Sequence, residues 1–106
     1  PGHSGESLTG ICAGGAQVLL FSTSGGLTIN HPLMSTIRVT GNPASASMNL
    51  DTTDVDVSDI FEGLPIQDAG RRVYDELLNV ASGKMTTGEI LYLADAFAIN
   101  RCGPSV

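Results

Sequence analysis

The sequence predicts an α/β fold, a small Rossmann-like layer with a short, mainly parallel sheet and flanking helices. Residues 17–21 and 36–40 are short apolar runs that end in turn-forming residues, which is typical of buried strands. Residues 24–35 connect them, and this length is about the minimum for a parallel crossover. An apolar repeat of helical period over residues 66–81 predicts a helix that covers one face of the sheet.

Glycine and proline residues divide the first half of the chain into short elements. Residues 1–6 are expected to be extended, and residues 7–15 predict a short helix that a glycine pair ends. Its apolar face is expected to consist of Leu8, Ile11 and Cys12. Strand one is expected to extend over 17–23 and strand two over 36–40, with an irregular loop between them.

The second half is predicted to be mostly helical. Asn42-Pro43 opens a short helix through about Asn49, and the alternation over 53–57 predicts a third, short strand. The long helix, over 66–82, has its predicted apolar face at Ile66, Gly70, Val73, Leu77, Val80 and Ala81. A capping-box pattern, Thr86-Thr87-Gly88-Glu89, opens a last helix that is predicted to extend over 87–98.

Length and composition restrict the function classes. A chain of 106 residues forms one domain, and its net charge of −6 without a basic patch argues against a nucleic-acid partner. No apolar run approaches the ~18 residues of a membrane span. The 15% charged fraction is low, which favours a surface that packs against another part of its own polypeptide or in a homo-oligomer. The widely spaced Cys12 and Cys102 are expected to be free thiols in a reduced, cytoplasmic protein.

The turns after both strands carry groups that hold a small anion without a cationic side chain. The first consists of hydroxyls and glycines with unhindered N–H groups, and the second ends at a helix N-cap. Because the carboxyl ends of parallel strands meet at one edge, we expect both turns to form one substrate site. An ordinary tight turn is the alternative. The site residues are Ser22, Thr23, Ser24, Gly25, Gly26, Thr40, Gly41 and Asn42. Gly25 is expected to be critical, because a side chain there would clash with the ligand or prevent a positive φ.

Four further residues are candidates for a chemical or electrostatic role. Asp54 and Asp56 belong to an acidic run that is a candidate site for a hard cation such as Mg²⁺, although a solvated strand face is the simpler interpretation. His31 lies in the loop between the strands, which we expect to be beside the proposed site, and is a candidate general base. Arg38 lies within strand two, where an ion pair or a contact with a partner is expected.

The order of motifs in the first 63 residues resembles the C-terminal region of the altronate/galactarate dehydratase family. The motifs are Pro1-Gly2, Ser7-x-Thr9-Gly10, Ala13-Gly14-Gly15-Ala16, Phe21-Ser-Thr-x-Gly25, Pro32, Ile37-Arg-Val-Thr-Gly-Asn42 and Asp54-Val-Asp56. The resemblance implies a cytoplasmic lyase that dehydrates a sugar acid and depends on a divalent metal (Fe²⁺, Mn²⁺ or Mg²⁺). This chain would be its C-terminal domain, the metal being bound mainly outside it. The family turn often reads Thr-Gly-x-Gly with a basic residue, whereas this chain has Thr23-Ser24-Gly25-Gly26-Leu27.

These observations leave two classes of function open. The first is a fragment of a sugar-acid dehydratase that contributes binding of the substrate carboxylate and is inactive when isolated. The second is a non-catalytic module, either for small-anion binding or for oligomerisation, which the turns and the low charge support without the family resemblance.

Overall fold

The computed structural model describes residues 3–25, 27–93, 97–98 and 103, and they form an α/β fold as predicted. The helices are α1 (Ser4–Ala13), α2 (Pro43–Met48), α3 (Ile66–Ala81) and α4 (Thr87–Ile90), with a 3₁₀ helix at Ser58–Glu62. The strands are β1 (Val18–Ser22), β2 (Ser35–Thr40) and β3 (Val55–Asp56). Among the residues described, no helix has both the length and the apolar character needed to cross a bilayer.

The sheet is parallel throughout, with the strand order β1-β2-β3. Leu20 of β1 is opposite Ile37 of β2, and Thr40 of β2 is opposite Asp56 of β3. This confirms the prediction that strands one and two are adjacent and parallel. All three strands therefore end at one edge of the sheet, and they begin at the opposite edge.

The central strand divides two apolar layers. On the face covered by α3, a buried cluster consists of Ile37, Val55, Val57, Ala69 and Val80. On the other face, Leu8 of α1 and Met34 form a second buried cluster with Leu19 and Phe21 packed against it. Because side chains alternate along a strand, this second face also receives a row of polar residues from β2. These are Thr36, Arg38 and Thr40, all buried.

Two helices differ in detail from the prediction. α1 begins at Ser4, so that the predicted extended lead-in is wrong from this residue on, whereas Pro1 and Gly2 lie outside the described residues. Gly14 and Gly15 end it as predicted, Gly15 with a φ of 98°. Ile11 is exposed although Leu8 is buried, because only part of the predicted face meets the sheet.

The bounds of α3 were predicted to within one residue, and half of its predicted apolar face is confirmed, since Val80 is buried and Val73 and Leu77 pack against the core. Ile66 is 65% exposed, and Gly70 and Ala81 are exposed as well. Ala69 and Val80 are the buried positions, because the small side chain of Ala69 allows the helix to approach the sheet closely.

The last helix is much shorter than the predicted 87–98. Its capping box is present, with Thr86 accepting from the N–H of Glu89 and the Glu89 side chain accepting from the N–H of Thr86. α4 nevertheless ends at Ile90, and Tyr92 has a φ of 55°. The N–H groups of Tyr92 and Leu93 bond back to the carbonyls of Glu89 and Gly88, which is the Schellman pattern that closes a helix. The predicted continuation over 94–96 lies outside the described residues.

Candidate functional site

The two turns that the sequence singles out lie side by side at the carboxyl edge of the sheet. We call residues 22–25 and 40–42 the carboxyl-edge lip. An open cavity of about 500 Å³ lies there. It is lined by Ser22, Thr23, Ser24, Gly41, Asn42 and Phe61. The parallel strands thus bring both predicted turns to one cavity, whereas Gly26 lies outside the described residues.

Hydrogen bonds between the two turns fix the shape of the lip. The carbonyl of Ser24 accepts from Asn42 Nδ2 at 3.1 Å and from the hydroxyl of Ser45. Asn42 Oδ1 accepts from the N–H of Ala44, which confirms the predicted N-cap. The Asn42 side chain therefore orders the lip by tying the first turn to the start of α2.

Main-chain N–H groups are the donors that the lip offers to a ligand. That of Ser24 has no hydrogen-bond partner among the described residues, whereas the pairing of Ser22 with Val39 directs that of Thr23 toward the Val39 carbonyl. The N–H of Gly25 donates to the Thr23 hydroxyl over a long 3.4 Å. No described residue lining the cavity is acidic. Such a set of N–H groups accommodates a carboxylate in a protein whose net charge is negative.

The prediction that Gly25 adopts a positive φ is wrong. Its φ is not positive, and a Cβ built on it meets no atom within 4 Å. A side chain at this position is therefore compatible with the turn itself. The other predicted effect, a clash between a side chain at position 25 and a bound ligand, stays a prediction. Gly25 lies at the exposed tip of the lip, so that such a side chain would project toward solvent or ligand.

Beneath the lip lies a buried charge pair. Nε of Arg38 lies 3.8 Å from Oδ2 of Asp54, and the two side chains are only 5% and 2% exposed. Burial lowers the pKa of Arg38, and the Asp54 carboxylate acts in the opposite direction. This confirms the ion pair expected for Arg38. The pair shares the second face of the sheet with Thr40 of the lip.

Asp54 and Asp56 do not fit the metal site that was considered for them. Both oxygens of Asp54 already accept hydrogen bonds, from the N–H of Arg38 and from Thr87, and a guanidinium cation lies beside them. Asp56 is exposed and accepts from the N–H of Ser58. In the described part of the chain, no three His, Cys, Asp or Glu side chains are grouped to hold a metal ion.

His31 lies at the amino edge of the sheet, not beside the lip. It precedes β2, whose length separates the two edges by roughly 16 Å. The ring is buried, its Nδ1 accepts from the N–H of Leu33, and Phe97 packs against it at 5.8 Å. It lines a separate cavity of about 440 Å³ together with Glu89. His31 is therefore not placed to act as a base on a ligand in the lip.

Comparison with known proteins decides the family. The family described as D-galactarate/altronate dehydratase, C-terminal, matches residues 1–105. The chain belongs to this family. The match confirms the resemblance based on the order of motifs in the first 63 residues. It also extends that resemblance over the helical second half of this dehydratase-family domain.

A curated relative of this dehydratase-family chain is the (2R)-sulfolactate sulfo-lyase subunit beta of Chromohalobacter salexigens. The two are 31% identical over 87 residues, which make up 81% of this chain and 22% of the relative. The chain thus spans about a fifth of the length of that relative. Together the family and the relative place the chain in a lyase-type family.

The closeness of Arg38 to the lip of this dehydratase-family domain was not predicted from the sequence. The signal was present in the alternation of β2, which places Arg38 two residues before Thr40 and on the same face.

Proposed function

We propose that this chain is the substrate-carboxylate-binding domain of a lyase that dehydrates a sugar acid. The observation that carries the proposal is the carboxyl-edge lip, where the ends of two parallel strands bring two turns to one open cavity. The N–H of Ser24 has no partner among the described residues, and none of the described lining residues is acidic. A carboxylate is the anion that such a lip suits best.

The names of the family and the relative support the substrate class. Galactarate, altronate and sulfolactate are all carboxylates with a hydroxyl group on the neighbouring carbon. Their other ends differ, since the relative's substrate carries a sulfonate. The shared part is therefore the α-hydroxycarboxylate. We assign the lip to this part, and galactarate- and altronate-type acids to this chain as substrates.

We assign the groups that catalyse dehydration to residues outside the lip. Dehydration removes a proton next to the carboxylate and expels a hydroxyl group, so that it needs a base and stabilisation of the enediolate charge. His31 lies at the opposite edge of the sheet, and Asp54 is held by hydrogen bonds. The base and the divalent metal are thus proposed to lie in the rest of a longer polypeptide, of which this chain is the C-terminal domain.

Binding and turnover measured separately test this proposal. The chain is titrated with galactarate and with galactitol, which keeps the four secondary hydroxyl groups of galactarate and has CH₂OH groups in place of both carboxylates. We expect saturable binding of galactarate alone. Failure to bind any of a panel of aldarates and aldonates would overturn the proposal.

The same panel is assayed for dehydration with Mg²⁺, Mn²⁺ or Fe²⁺, using this chain and the product of its complete reading frame. We expect turnover only from the latter. Dehydration by the chain alone, abolished by one substitution within it, would contradict the assignment of the chemistry to other residues.

Exposed apolar side chains favour a second role, in assembly. Met48 and Phe61, on α2 and the 3₁₀ helix that contacts it, are 76% and 77% exposed, and Leu50 just after α2 is 74% exposed. Exposed apolar side chains on neighbouring elements are typical of a surface that packs against another protein surface. The relative is itself named as a subunit. We propose that these residues contact the rest of the polypeptide or a second copy, and sedimentation velocity of the chain at several concentrations distinguishes the two.

A further inference from the structure

Arg38 carries a buried positive charge whose hydrogen-bonding groups are unused. The residue is 4% exposed. Its Nε, Nη1 and Nη2 atoms are all buried, and none has a hydrogen-bond partner among the described residues. A guanidinium has five N–H donors, and leaving a buried charged donor unpaired is costly. The position therefore calls for an acceptor that the described residues do not supply.

Asp54 balances the charge of Arg38 but does not accept a hydrogen bond from its guanidinium. The 3.8 Å between Arg38 Nε and Asp54 Oδ2 is too long for a hydrogen bond. Asp54 Oδ2 accepts instead from the main-chain N–H of Arg38 at 2.8 Å, and Oδ1 accepts twice from Thr87. The carboxylate is thus held in place by other donors, and the guanidinium remains free to bond elsewhere.

A small cavity lies beside Arg38 and shares the lining residue Thr23 with the cavity of the lip. The volume of the small cavity is about 10 Å³, the space of a single water molecule or one oxygen atom. Arg38 lines it together with Thr23, Thr40, Thr52 and Thr53. Thr23 also lines the 500 Å³ cavity of the lip, and Thr40 directly precedes Gly41 of that cavity. The two cavities are therefore neighbours across Thr23.

We propose that Arg38 is the cationic anchor of the lip, donating to one oxygen of a bound carboxylate that enters the small cavity. The inference rests on the carboxylate-binding function proposed above and names the residue that supplies the charge. The other oxygen of the carboxylate accepts from the N–H group of Ser24. The cavity admits only one oxygen, so that Arg38 binds end-on and not with both arms of its fork.

The binding partner follows from charge and size. A buried cation selects an anion over a neutral polyol of the same length, and none of the described residues that line the small cavity is acidic. Burial disfavours the charged guanidinium, and a carboxylate at hydrogen-bonding distance offsets this cost. The ligand class is accordingly a small hydroxycarboxylate.

Nuclear magnetic resonance of the ¹⁵N-labelled full chain tests the inference. Galactarate is titrated while the Nε–H signal of Arg38 and the amide signals of Thr23 and Ser24 are followed, with galactitol and sodium chloride as controls. We expect the three signals to move with one common Kd for galactarate and to stay in place with galactitol.

Two variants separate anchoring from a merely structural role. In R38M/D54N both charges are replaced by neutral side chains of similar size, so that no charge is left buried alone. We expect its Kd for galactarate to rise at least about tenfold. In D54N the charge of Arg38 is no longer balanced, and we expect its Kd to fall by about two- to tenfold.

The outcomes distinguish this inference from the function on which it rests. If the lip amides titrate but R38M/D54N binds with unchanged Kd, Arg38 is not the anchor and the lip still binds carboxylate. If D54N weakens binding as much as R38M/D54N does, the Arg38–Asp54 pair acts only by supporting the structure of the lip. This result would also overturn the proposal that Arg38 binds the carboxylate. If no lip amide responds in the unaltered chain, the carboxylate site itself is wrong. Both variants are first compared with the unaltered chain by circular dichroism.

Discussion

Asp54 and Thr87 are joined by two hydrogen bonds to a single carboxylate oxygen. The N–H and the hydroxyl of Thr87 each donate to Asp54 Oδ1 over 2.6 Å, across 33 residues of sequence. Thr87 is the first residue of α4 and Asp54 directly precedes β3, so that this carboxylate attaches the last helix to the sheet. The acidic side chain that suggested a cation site from sequence is thus a cross-link within the fold.

Replacing Asp54 by Ala should lower the free energy of unfolding by about 3–5 kcal/mol, because Arg38 would then be buried without a balancing charge. The side chain of Asp54 is 2% exposed, so that water cannot replace its hydrogen bonds. Urea denaturation measures the loss. Asp56→Ala is the control, since Asp56 is exposed and makes one hydrogen bond, worth about 1 kcal/mol. Equal losses in the two variants would contradict the cross-link.

Gly25→Val should weaken galactarate binding at least about tenfold, because the side chain projects into the space of a ligand held by main-chain N–H groups. Folding should be unaffected, since a Cβ at Gly25 meets no atom within 4 Å. Calorimetric titration gives the Kd. The matched control is Gly70→Val, which makes the same change on the exposed side of α3. A folded Gly25→Val chain with unaltered affinity would show that the turn has no ligand.

Gly88→Ala should destabilise the chain by about 1–3 kcal/mol, because the added Cβ has no room. It would lie 2.9 Å from Cγ of the buried Asn30. Gly70→Ala should act in the opposite direction and stabilise by up to about 1 kcal/mol, because Ala has the higher helix propensity. Thermal unfolding of the two variants compares them directly. Stabilisation by Gly88→Ala would mean that Asn30 moves aside freely.

Tyr92→Gly should stabilise the chain by about 1 kcal/mol, because a left-handed residue with a side chain is strained and glycine is not. Tyr92 has a φ of 55° at the end of α4 and is 89% exposed, so that little packing is lost with its side chain. Tyr92→Ala is the control that removes the ring but keeps the strain. Chemical denaturation should show a gain for glycine alone, and an equal gain for alanine would assign the effect to the ring.

Two free thiols are expected when the unfolded, unreduced protein is titrated with a thiol reagent. Cys12 is free, and its thiol donates to the carbonyl of Leu33 at 3.9 Å. Cys102 lies outside the described residues. Recovery of no thiol from a protein that is monomeric on a non-reducing gel would indicate an intrachain disulfide instead.

The sheet and the lip could be predicted from sequence because their signals are local. Short apolar runs mark β1 and β2, and Asn42 before Pro43 marks the N-cap where the second turn ends. The predicted position of His31 beside the lip was wrong, although the predicted topology already argued against it. A parallel connection leaves the carboxyl edge and must re-enter at the amino edge, so that a residue just before β2 lies far from the lip.

The end of α4 could not be predicted, because its cause is tertiary. The apolar repeat through Ile90 and Leu93 favoured a long helix, and Tyr92 is not a residue type that marks a helix end. Ile90 is 58% exposed, so that the apolar repeat meets no core at this position. Phe97 packs on His31, and the N–H of Ala98 donates to the hydroxyl of Thr9. These distant contacts compete with the local pattern.

Main-chain donors in the lip have a consequence for how such a domain changes over generations. An N–H group is present whichever side chain follows it, so that Ser22 and Ser24 can be replaced without removing the donors of the first turn. The proposed binding of the carboxylate then depends on the path of the backbone and on Arg38, and not on the side chains of the first turn. Under that proposal, substitutions around the lip can change which acid is bound without changing how its carboxylate is bound.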